Sequence, residues 1–569
     1  MGRLVIDIEA DGLNEITLNS KGHPQKEGTR IWCIVAYDLD TRETFKYTPA
    51  NIHKAADLLK KATLLIGHNI LSFDVPMLVR VLGVKLTCEF WDTLIVSKLM
   101  YPDINNHPLG DNSLESWGKY LNNHKIEYLG GWDAFSDEML EYCVQDVMLG
   151  KNIYDRQKIW VTENKYEKIV RFEHMVSSIL MEQTANGFNF NLDQSYKLHA
   201  ELLMDKVGIE DEMRKIFPDK IIYRKSEKTG KDLKPKIEIF NPGSRQQIAS
   251  RLNEKYGWKP PLTDKGNPKV DESVLSKLEY PEAKTLIRYF DCIKLIGMVE
   301  DWQTRASSSR DGRIHGFINP QGAATGRCTH SQPNIAQVSG DHRARELWIP
   351  DDGHILLGSD LSGLELRMLA HYMHKYDKGA YGEIILNGDI HTHNQNAAGL
   401  PNRNTAKTFI YGFLYGAGDA KIGKIVNSTA AAGSKLKEKF LKEIPALAKV
   451  QQEAKFMTAK WGAVLLPDGR KVPVRSEHAA LNTLLQGSGA ILSKYWMVLA
   501  NKKLKEAYGN RVKQLAYIHD ELQFSVPKDI ADEAGKMIIE SATEAGTRLG
   551  INMRIDAEYK LGNNWAETH

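Results

Sequence analysis

Four acidic residues and a tyrosine within the first 150 residues have the types and spacing of a divalent-metal site. They are Asp7 and Glu9 in VIDIEA, Asp74 in GHNILSFDVPML, and Tyr142 and Asp146 in YCVQD. Alternate positions on a predicted strand put Asp7 and Glu9 on one face, and helical spacing does the same for Tyr142 and Asp146. Taken singly, each short motif is more simply a surface pair. Together they predict converging acids that Mg²⁺ would neutralise, with Tyr142 orienting an attacking water.

A second pair of acids lies far along the chain. Asp360 ends the apolar run HILLGSD, and Asp520 lies at the predicted turn of QLAYIHDELQFSV. These carboxylates are suited to bridging two Mg²⁺ ions, with Mn²⁺ as the alternative and the backbone carbonyl of Leu361 as a further ligand. Such a site would lower the pKa of a primer hydroxyl and hold a triphosphate. The sequence therefore predicts an enzyme with two separate metal sites, both acting on nucleic acid.

The segment between these two acids carries residues suited to a nucleoside triphosphate. Arg403, Lys407 and Tyr411 in RNTAKTFIYGFLYG are spaced by four, so on a helix they share one face. The two cations suit phosphates, Tyr411 and Tyr415 suit a sugar and a base, and His391 can add a donor. The alternative is an exposed, salt-bridged helix with aromatic residues in the core. The apolar, glycine-rich run TFIYGFLYGAG favours nucleotide binding.

The surrounding elements divide the chain into three parts. Residues 1–155 alternate predicted strands and helices, which indicates a mixed α/β domain. Residues 156–312 are mainly helical and charged, with a basic stretch at 214–239 predicted to form a hairpin. Strands then return and flank a helical insert at about 366–475, in which we predict one amphipathic helix kinked at Pro445.

Composition narrows the class of protein. The chain has 569 residues, 42% hydrophobic and 26% charged, with a net charge of only +3, so binding to nucleic acid must depend on local basic surfaces. Its five cysteines include no CxxC pair, which argues against a zinc ribbon or a disulfide framework. With no apolar run long enough to span a membrane, we expect a soluble protein in the cytoplasm.

The motifs carry a resemblance to a known family. SDLSGLELR, RNTAKTFIYGFLYG and YIHDE resemble motifs A, B and C of family A (DNA polymerase I-like) DNA polymerases, and TGRCTHSQPNIAQV and FNPGSRQQI resemble its primer-binding and thumb signatures. The first acid group with Tyr142 resembles the DEDDy branch of 3′→5′ exonucleases. The segments SGLELR and KTFIYGFLYGAGDAKIG are most similar to the corresponding segments of replicative polymerases of short-tailed (podovirus) phages.

The resemblance implies a multi-domain α/β fold, with a ribonuclease-H-like proofreading exonuclease followed by a right-hand polymerase. The exonuclease would occupy 1–155 and the thumb 156–312. The palm would occupy 313–364 and 476–569, and the fingers 365–475. The implied activity is template-directed DNA synthesis with 3′→5′ proofreading, as in the replication of phage DNA. For a phage-encoded protein the resemblance implies a monomer in the cytoplasm of the host cell.

The resemblance also assigns roles to single residues. Asp360 and Asp520 become metal ligands, and the cations with His391 become the clamp for the deoxynucleoside triphosphate. Glu365 would exclude a 2′-hydroxyl. Arg327 and Gln486 would contact the minor groove of the primer–template, and His519 the primer end.

The implied partners are primer–template DNA and dNTPs, with a replisome helicase, a primase and a single-strand binding protein as further candidates. Relatives that borrow host thioredoxin carry a long thumb insertion, whereas this chain has only the short stretch 214–239 there. Dependence on thioredoxin is therefore not expected, and we expect that stretch either to grip the DNA backbone or to be a solvated hairpin. Two other functions stay open: a gap-filling polymerase with an idle nuclease domain, and a non-catalytic DNA-binding scaffold.

Overall fold

A computed structural model describes residues 2–13, 28–103, 107–225 and 228–569. The chain divides into two compact units. The first comprises Met1–Phe188, His315–Ala336 and Pro350–His569, and the second comprises Asn189–Ile314 and Gln337–Ile349. All residues predicted to do chemistry belong to the first unit.

The first unit begins with an α/β region. Its elements, numbered in chain order, are β1 (Arg3–Ala10), β2 (Ile31–Asp38), β3 (Thr44–Tyr47), α1 (Ala55–Lys60), β4 (Leu64–Gly67), α2 (Asp74–Leu82), β5 (Glu89–Asp92), α3 (Thr93–Met100), α4 (Leu114–Tyr120), α5 (Asp137–Asn164) and α6 (Glu167–Asn186). The sheet has the order β3-β2-β1-β4-β5, with β1 antiparallel to β2 and parallel to β4. The predicted strands and helices of this region are confirmed.

Both faces of this sheet are buried, which explains the apolar character of β1. Leu4 and Ile6 pack into one hydrophobic core, and Val5 packs into another core with residues of α5. Side chains alternate along a strand, so Asp7 and Glu9 project on the same side as Val5, toward α5. α5 itself continues without a break through position 155 to Asn164.

The rest of the first unit is built on an antiparallel sheet and a helical insert. Its elements are β10 (Phe317–Asn319), β11 (Thr329–Ser331), β13 (His354–Leu361), α12 (Leu364–Asp377), α13 (Ala380–Asn387), α14 (Ile390–Ala398), α15 (Arg403–Leu414), α16 (Asp419–Ile425), α17 (Ala430–Glu443), α18 (Pro445–Trp461), β14 (Ala463–Leu465), β15 (Lys471–Pro473), α19 (Ala480–Tyr508), β16 (Lys513–Ile518), β17 (Glu521–Pro527), α20 (Ala531–Arg548) and β18 (Ala557–Gly562). The sheet order is β16-β17-β13-β18. The helices α19 and α20 and the sheet share one large hydrophobic core.

The prediction of one helix kinked at Pro445 is wrong. α17 ends at Glu443, and Pro445 is the first residue of a separate helix, α18. Proline lacks an N–H group and has a fixed φ, so it suits the first turn of a helix and interrupts an interior. The amphipathic pattern continued across the proline and concealed the break.

The second unit contains long helices, a hairpin and a small sheet. Its elements are β6 (Phe188–Phe190, whose first residue belongs to the first unit), α7 (Leu192–Ile216), β7 (Lys220–Lys225), β8 (Asp232–Glu238), α8 (Arg245–Tyr256), α9 (Glu272–Leu275), α10 (Pro281–Ser308), β9 (Arg313–Ile314), α11 (His342–Arg345) and β12 (Trp348–Ile349). Ser244 caps the start of α8, since its side chain accepts a hydrogen bond from the backbone N–H of Gln247.

The predicted basic hairpin is also confirmed, as β7 paired with β8; Ser226 and Glu227 of that stretch lie outside the described residues. Ile221 pairs with Ile237 and Ile222 with Lys236. Because cross-strand partners share a face, the Ile221–Ile237 pair makes one face apolar, and Lys236 lies on the other. Across the described ranges, no helix is both long and apolar enough to cross a membrane.

Candidate active sites

The first acid group converges beside β1. Asp7 and Glu9 lie on β1, and potential ligand atoms of Asp7, Glu9 and Cys143 all lie within 4.8 Å of one another. Asp74 begins α2, and its Oδ1 accepts a hydrogen bond from the backbone N–H of Ile8 at 3.2 Å. The three segments predicted to form the site are therefore brought together, with α5 supplying the third.

Electrostatics in this cluster favour a bound cation. Burial, followed by repulsion from Asp146, raises the pKa of Asp7 to about 8. Burial and the charge of Asp7 raise the pKa of Glu9 to about 10, and burial raises the pKa values of Asp74 and Asp146. Oδ1 of Asp146 is buried without a hydrogen-bond partner among the described residues. Oxygen donors of this kind fit a hard divalent ion such as Mg²⁺.

A lysine that the sequence did not single out lies in the same cluster. Nζ of Lys125 is 2.8 Å from Oδ2 of Asp146 and 4.7 Å from the centroid of the Tyr142 ring. The side chain of Gln145 hydrogen-bonds the backbone of His124 and of Ile126, so the loop is held on both sides of Lys125. Despite the cost of burial, Asp146 raises the pKa of Lys125, which keeps it cationic. A single lysine in a loop gives no periodic signal in sequence.

The second acid pair converges at one end of the antiparallel sheet. Asp360 lies near the end of β13, and the two-residue turn between β16 and β17 carries Asp520. The backbone N–H of Leu361 donates to the backbone oxygen of Asp520 at 3.0 Å, which links the two segments directly.

Burial and neighbouring carboxylates raise the pKa values of both acids. Burial and the charge of Asp520 raise the pKa of Asp360 to about 7. Burial and the charge of Glu365 raise the pKa of Asp520 to about 6. Two acids with raised pKa values in such proximity fit a pair of divalent ions, which would favour the ionised forms.

The residues predicted to bind a nucleotide lie on two neighbouring helices. α15 carries Arg403, Lys407 and Tyr411, as the spacing predicted, and α14 carries His391. The ring centroids of His391 and Tyr411 are 6.4 Å apart. Nε of Arg403 is 2.8 Å from Oδ2 of Asp389, but both side chains are about half exposed, so solvent weakens this ion pair.

Glu365 connects this helix to the acid pair. It lies in the first turn of α12, and its Oε1 accepts a hydrogen bond from the hydroxyl of Tyr415 at 3.0 Å. The ring centroids of Tyr411 and Tyr415 are 6.2 Å apart. Arg327 approaches the same carboxylate at 3.8 Å. Glu365, both tyrosines and Arg327 therefore form one contiguous surface beside Asp520.

The other residues predicted to contact DNA are at least partly exposed. Gln486 is partly exposed on α19. His519 is exposed in the β16–β17 turn, with its ring 6.5 Å from that of His330.

Comparison with known proteins identifies the family. Residues 219–567 match the model described as DNA polymerase family A. The DNA-directed DNA polymerases of Escherichia phage T7 and Enterobacteria phage T3 are each 32% identical to this chain over 721 aligned positions, covering 100% of the chain and of each relative. The chain belongs to DNA polymerase family A. The resemblance drawn from the sequence motifs is thereby confirmed.

Two further matches of this family A polymerase extend over most of the chain at lower identity. DNA polymerase I of Aquifex aeolicus is 24% identical and covers 88% of both chains. The solved structure of the POL domain of Pol1 from M. smegmatis, in complex with DNA primer-template and dNTP, matches with a TM-score of 0.81. That match covers 100% of this chain and 96% of the other at 18% identity, which shows a shared fold.

One buried serine of the polymerase supports the turn that carries Asp520. Oγ of Ser493, on α19, donates to the backbone oxygen of His519 at 2.6 Å. His519 has a φ of 57°, a left-handed conformation that is uncommon for residues other than glycine. The hydrogen bond therefore holds the turn in a conformation that His519 adopts at a cost.

A third acid beside the pair is held by the last residues of the chain. Oε1 of Glu521 accepts a hydrogen bond from Nε1 of Trp565 at 2.7 Å, and Oε2 lies 3.1 Å from Nδ1 of His569. Burial alone would raise the pKa of Glu521, but hydrogen bonds from His569, Gln523 and Trp565 lower it. Glu521 pairs with Asp360 across β13 and β17, so its carboxylate places a negative charge next to the acid pair. Hydrogen bonds between residues so far apart in the chain leave no local pattern in the sequence.

Proposed function

We propose that this chain is a replicative, proofreading DNA polymerase that extends a primer by two-metal phosphoryl transfer and shortens it at a separate 3′→5′ exonuclease site. The observation that carries the proposal is the presence of two acid clusters on two different sheets, in a chain of family A. The similarity to phage T7 and T3 polymerases over their full lengths supports a role in phage DNA replication, beside a helicase, a primase and a single-strand binding protein.

Asp360 and Asp520, with the carbonyl of Leu361, would hold the ions of the synthetic site. Bound divalent ions there would supply Lewis-acid stabilisation of the attacking and leaving oxygens. The protein's own part is to fix both carboxylates against each other, which the Leu361–Asp520 backbone hydrogen bond supports. His519 lies next to Asp520 in the same turn, which suits contact with the primer end.

The surface on α15 and α12 would bind the incoming deoxynucleotide. Arg403, Lys407 and His391 are donors for the triphosphate, and the exposed Arg403–Asp389 pair is weak enough to yield to it. Glu365 would oppose a 2′-hydroxyl. Its hydrogen bond with Tyr415 supports this role, because the bond holds the carboxylate against the aromatic surface.

Arg327 and Gln486 are the residues we propose for minor-groove contacts with primer–template DNA. Arg327 lies close to Glu365, so a contact there would monitor the base pair next to the nucleotide site. For the domains, we propose an exonuclease at 1–155 with a ribonuclease-H-like fold and a thumb at 156–312. The palm would comprise 313–364 and 476–569, and the fingers 365–475. The five-stranded mixed sheet supports the assignment of the exonuclease, and the four-stranded antiparallel sheet supports that of the palm.

The exonuclease site would use Asp7, Glu9, Asp74 and Asp146 as ligands. The raised pKa values of these acids and the unpartnered oxygen of Asp146 support cation binding. Tyr142, one helical turn before Asp146, would orient the attacking water.

One primer-extension experiment tests both activities. A labelled primer–template with a mismatched 3′ end is incubated with Mg²⁺, first without and then with dNTPs. We expect shortening followed by extension. Asp360→Asn should abolish extension alone, and Asp7→Ala should abolish shortening alone. Extension without shortening would favour a gap-filling polymerase, and a mobility shift with neither reaction would favour a DNA-binding scaffold.

A further inference from the structure

The turn that leads into Asp74 contains a residue in a left-handed conformation. Asp74 is the first residue of α2, and the turn before it begins at Asn69. Asn69 has a φ of 63°, which residues other than glycine adopt only at a cost. The backbone N–H groups of Ser72 and Phe73 both donate to the backbone oxygen of Asn69, at 3.1 and 3.2 Å. A turn of this kind persists when bonds from its surroundings hold it in place.

Asp92, the last residue of β5, supplies such bonds from outside the turn. It is only 2% exposed. Its Oδ1 accepts a hydrogen bond from the backbone N–H of Asn69 at 2.9 Å, and its Oδ2 accepts one from the backbone N–H of Leu71 at 3.2 Å. The backbone N–H of Leu94, at the start of α3, also donates to Oδ1, at 2.9 Å. One carboxylate thus ties the turn before Asp74 to the junction between β5 and α3.

Thr93 adds a second tie at the same junction. Its buried hydroxyl lies 2.8 Å from Nδ1 of His68, the residue before Asn69. Positions 68, 69 and 71 are therefore all bonded to Asp92 or to Thr93. Because buried donors lose much free energy when they lose their acceptors, these bonds restrict where the turn can lie.

Both ends of this set of bonds are anchored. At one end, Oδ1 of Asp74 accepts a hydrogen bond from the backbone N–H of Ile8, which lies on β1 between the two acids of that strand. At the other end, the backbone N–H of Asp92 donates to Nε2 of His174, on α6, at 2.6 Å. The hydrogen bonds therefore lead from α6 through Asp92 and the turn to the first acid cluster.

We propose that Asp92 is a positioning residue for 3′→5′ hydrolysis, which holds the turn that places Asp74 beside Asp7 and Glu9. The proposal rests on the exonuclease activity proposed above. Asp92 acts through the backbone, because both of its oxygens accept backbone N–H groups. The alternative is that Asp92 only caps α3 through Leu94, a role that would affect stability but not the binding of an ion by the acid cluster.

The informative variant is Asp92→Asn, which keeps the shape of the side chain but replaces one acceptor oxygen with an NH₂ donor. That donor would face a backbone N–H group, so at least one of the three bonds is lost. The bond to Leu71 is lost if the amide oxygen takes the place of Oδ1. Thr93→Val is a second variant, which removes the hydroxyl beside His68 and leaves the carboxylate of Asp92 intact.

Asp38→Asn is the matched control. Asp38 is also buried, at 8% exposed, and is the last residue of β2 in the same sheet. Its Oδ1 accepts hydrogen bonds from the backbone N–H groups of Asp40 and Thr41, at 2.8 and 3.2 Å. The control therefore alters a buried carboxylate that holds a different turn, the one between β2 and β3.

Ion binding, hydrolysis and synthesis are measured for each variant. Binding of Mn²⁺, which takes the same carboxylate oxygens as Mg²⁺, is followed by electron paramagnetic resonance of the free ion. The Asp360→Asn background is used for this measurement, because it removes a proposed ligand of the synthetic site. Hydrolysis of a labelled single strand is measured at several Mg²⁺ concentrations with Asp360 intact. Extension of a fully paired primer measures synthesis and shows that the variant is folded.

We expect Asp92→Asn to lower kcat for hydrolysis by up to about a hundredfold, with a smaller change in KM for DNA, because the displaced residue would bind the ion rather than the strand. The Mg²⁺ concentration at half-maximal hydrolysis should rise, and the affinity for Mn²⁺ should fall. Thr93→Val should produce the same changes at smaller size. Asp38→Asn should match wild type in all three measurements, and extension should be unchanged in every variant.

Three results would overturn the proposal. They are an Mn²⁺ affinity and Mg²⁺ requirement of Asp92→Asn equal to those of wild type, an equal loss of hydrolysis and extension, and a loss of hydrolysis with Asp38→Asn as large as that with Asp92→Asn. The second of these would mean that Asp92 only stabilises the fold. If wild type does not shorten DNA, the exonuclease proposal fails, while the Mn²⁺ measurement still decides whether Asp92 positions the acid cluster.

Discussion

Replacing Ser493 with alanine should impair DNA synthesis although the serine is not itself a predicted metal ligand. The Ser493 side chain is fully buried, and its hydroxyl donates to the backbone oxygen of His519 at 2.6 Å. His519 adopts a φ of 57°, so its turn depends on bonds from its surroundings. Asp520 follows in that turn and is bonded to Leu361 on the other side. Ser493→Ala would remove one of the bonds that hold Asp520 opposite Asp360.

The size of the effect follows from the complete burial of Ser493 and the partial burial of the hydrogen bond. Leaving the acceptor of such a bond without its donor costs about 1–3 kcal/mol. If most of this cost falls on the turn, the equilibrium constant for holding Asp520 in position decreases by about tenfold to a hundredfold, since each 1.36 kcal/mol corresponds to a factor of ten. We therefore expect kcat for nucleotide addition to fall, by up to that factor. Because Asp520 is a proposed ligand, the Mg²⁺ concentration needed for half-maximal rate should rise as well.

The assay is single-nucleotide extension at several Mg²⁺ concentrations, with 3′→5′ shortening measured in parallel. Ser541→Ala is the matched control, because Ser541 is also fully buried on a helix but donates to a backbone oxygen of its own helix. Ser493→Cys, with a weak donor, should lie between wild type and Ser493→Ala. An unchanged kcat would refute the reasoning, and so would equal losses in extension and shortening, which would indicate general unfolding.

Four other outcomes test the electrostatics. Glu365→Ala should raise ribonucleotide incorporation in primer extension, and unchanged sugar selectivity would contradict the role of Glu365. Because the pKa of Asp360 is raised to about 7 and that of Asp520 to about 6, the Mg²⁺ requirement of extension should increase as pH falls from about 8 to about 6; a constant requirement would count against ligation by this pair. Lys125→Met should destabilise the metal-free protein by on the order of 2 kcal/mol and the Mg²⁺-loaded protein by less, as thermal unfolding would show; equal destabilisation would argue against a cation site. Lys236→Glu in the β7–β8 hairpin should make the salt dependence of DNA affinity less steep, and an unchanged slope would mean that this face is only solvated.

The sequence predicted the acids of both sites because regular elements position them. Period-two spacing placed Asp7 and Glu9 on one face of β1, and i to i+4 spacing placed Tyr142 and Asp146 on one face of α5. The turn that carries Asp520 followed from two apolar strands with a polar pair between them. Patterns of this kind are local, so they survive without knowledge of tertiary contacts.

The residues that support those acids were not predictable in the same way. Lys125 lies in a loop, and its partner Asp146 is on a helix. Ser493 bonds a turn across 26 positions, and Trp565 bonds Glu521 across 44 positions. None of these pairs has a spacing that any single element imposes. Tertiary packing decides them, and one sequence alone gives no measure of it.

The helix α6 contacts both of the regions that carry the acid clusters of the first unit. Glu173 lies on α6. Its Oε1 is 2.7 Å from Nη1 of Arg470, and its Oε2 is 2.9 Å from Nζ of Lys494, which lies on α19. All three side chains are almost fully buried. The neighbouring His174 accepts a hydrogen bond from the backbone N–H of Asp92 at 2.6 Å.

Glu173 and His174, adjacent on α6, are thus bonded to different regions of the first unit: Glu173 to Arg470 and Lys494, and His174 to Asp92. Burial would raise the pKa of Glu173, but Lys494 and Arg470 lower it, so the charges are held by one another rather than by solvent. Buried ion pairs contribute little net stability compared with apolar packing, yet breaking one is costly, so they oppose sliding of the helices. His174 extends this constraint to the sheet that carries Asp7, because Asp92 ends β5 of that sheet. The position of one acid cluster relative to the other is therefore constrained by α6. If the proposed exonuclease acts on the primer, a primer end that moves between the clusters must itself unpair and travel, which predicts a preference for ends that fray.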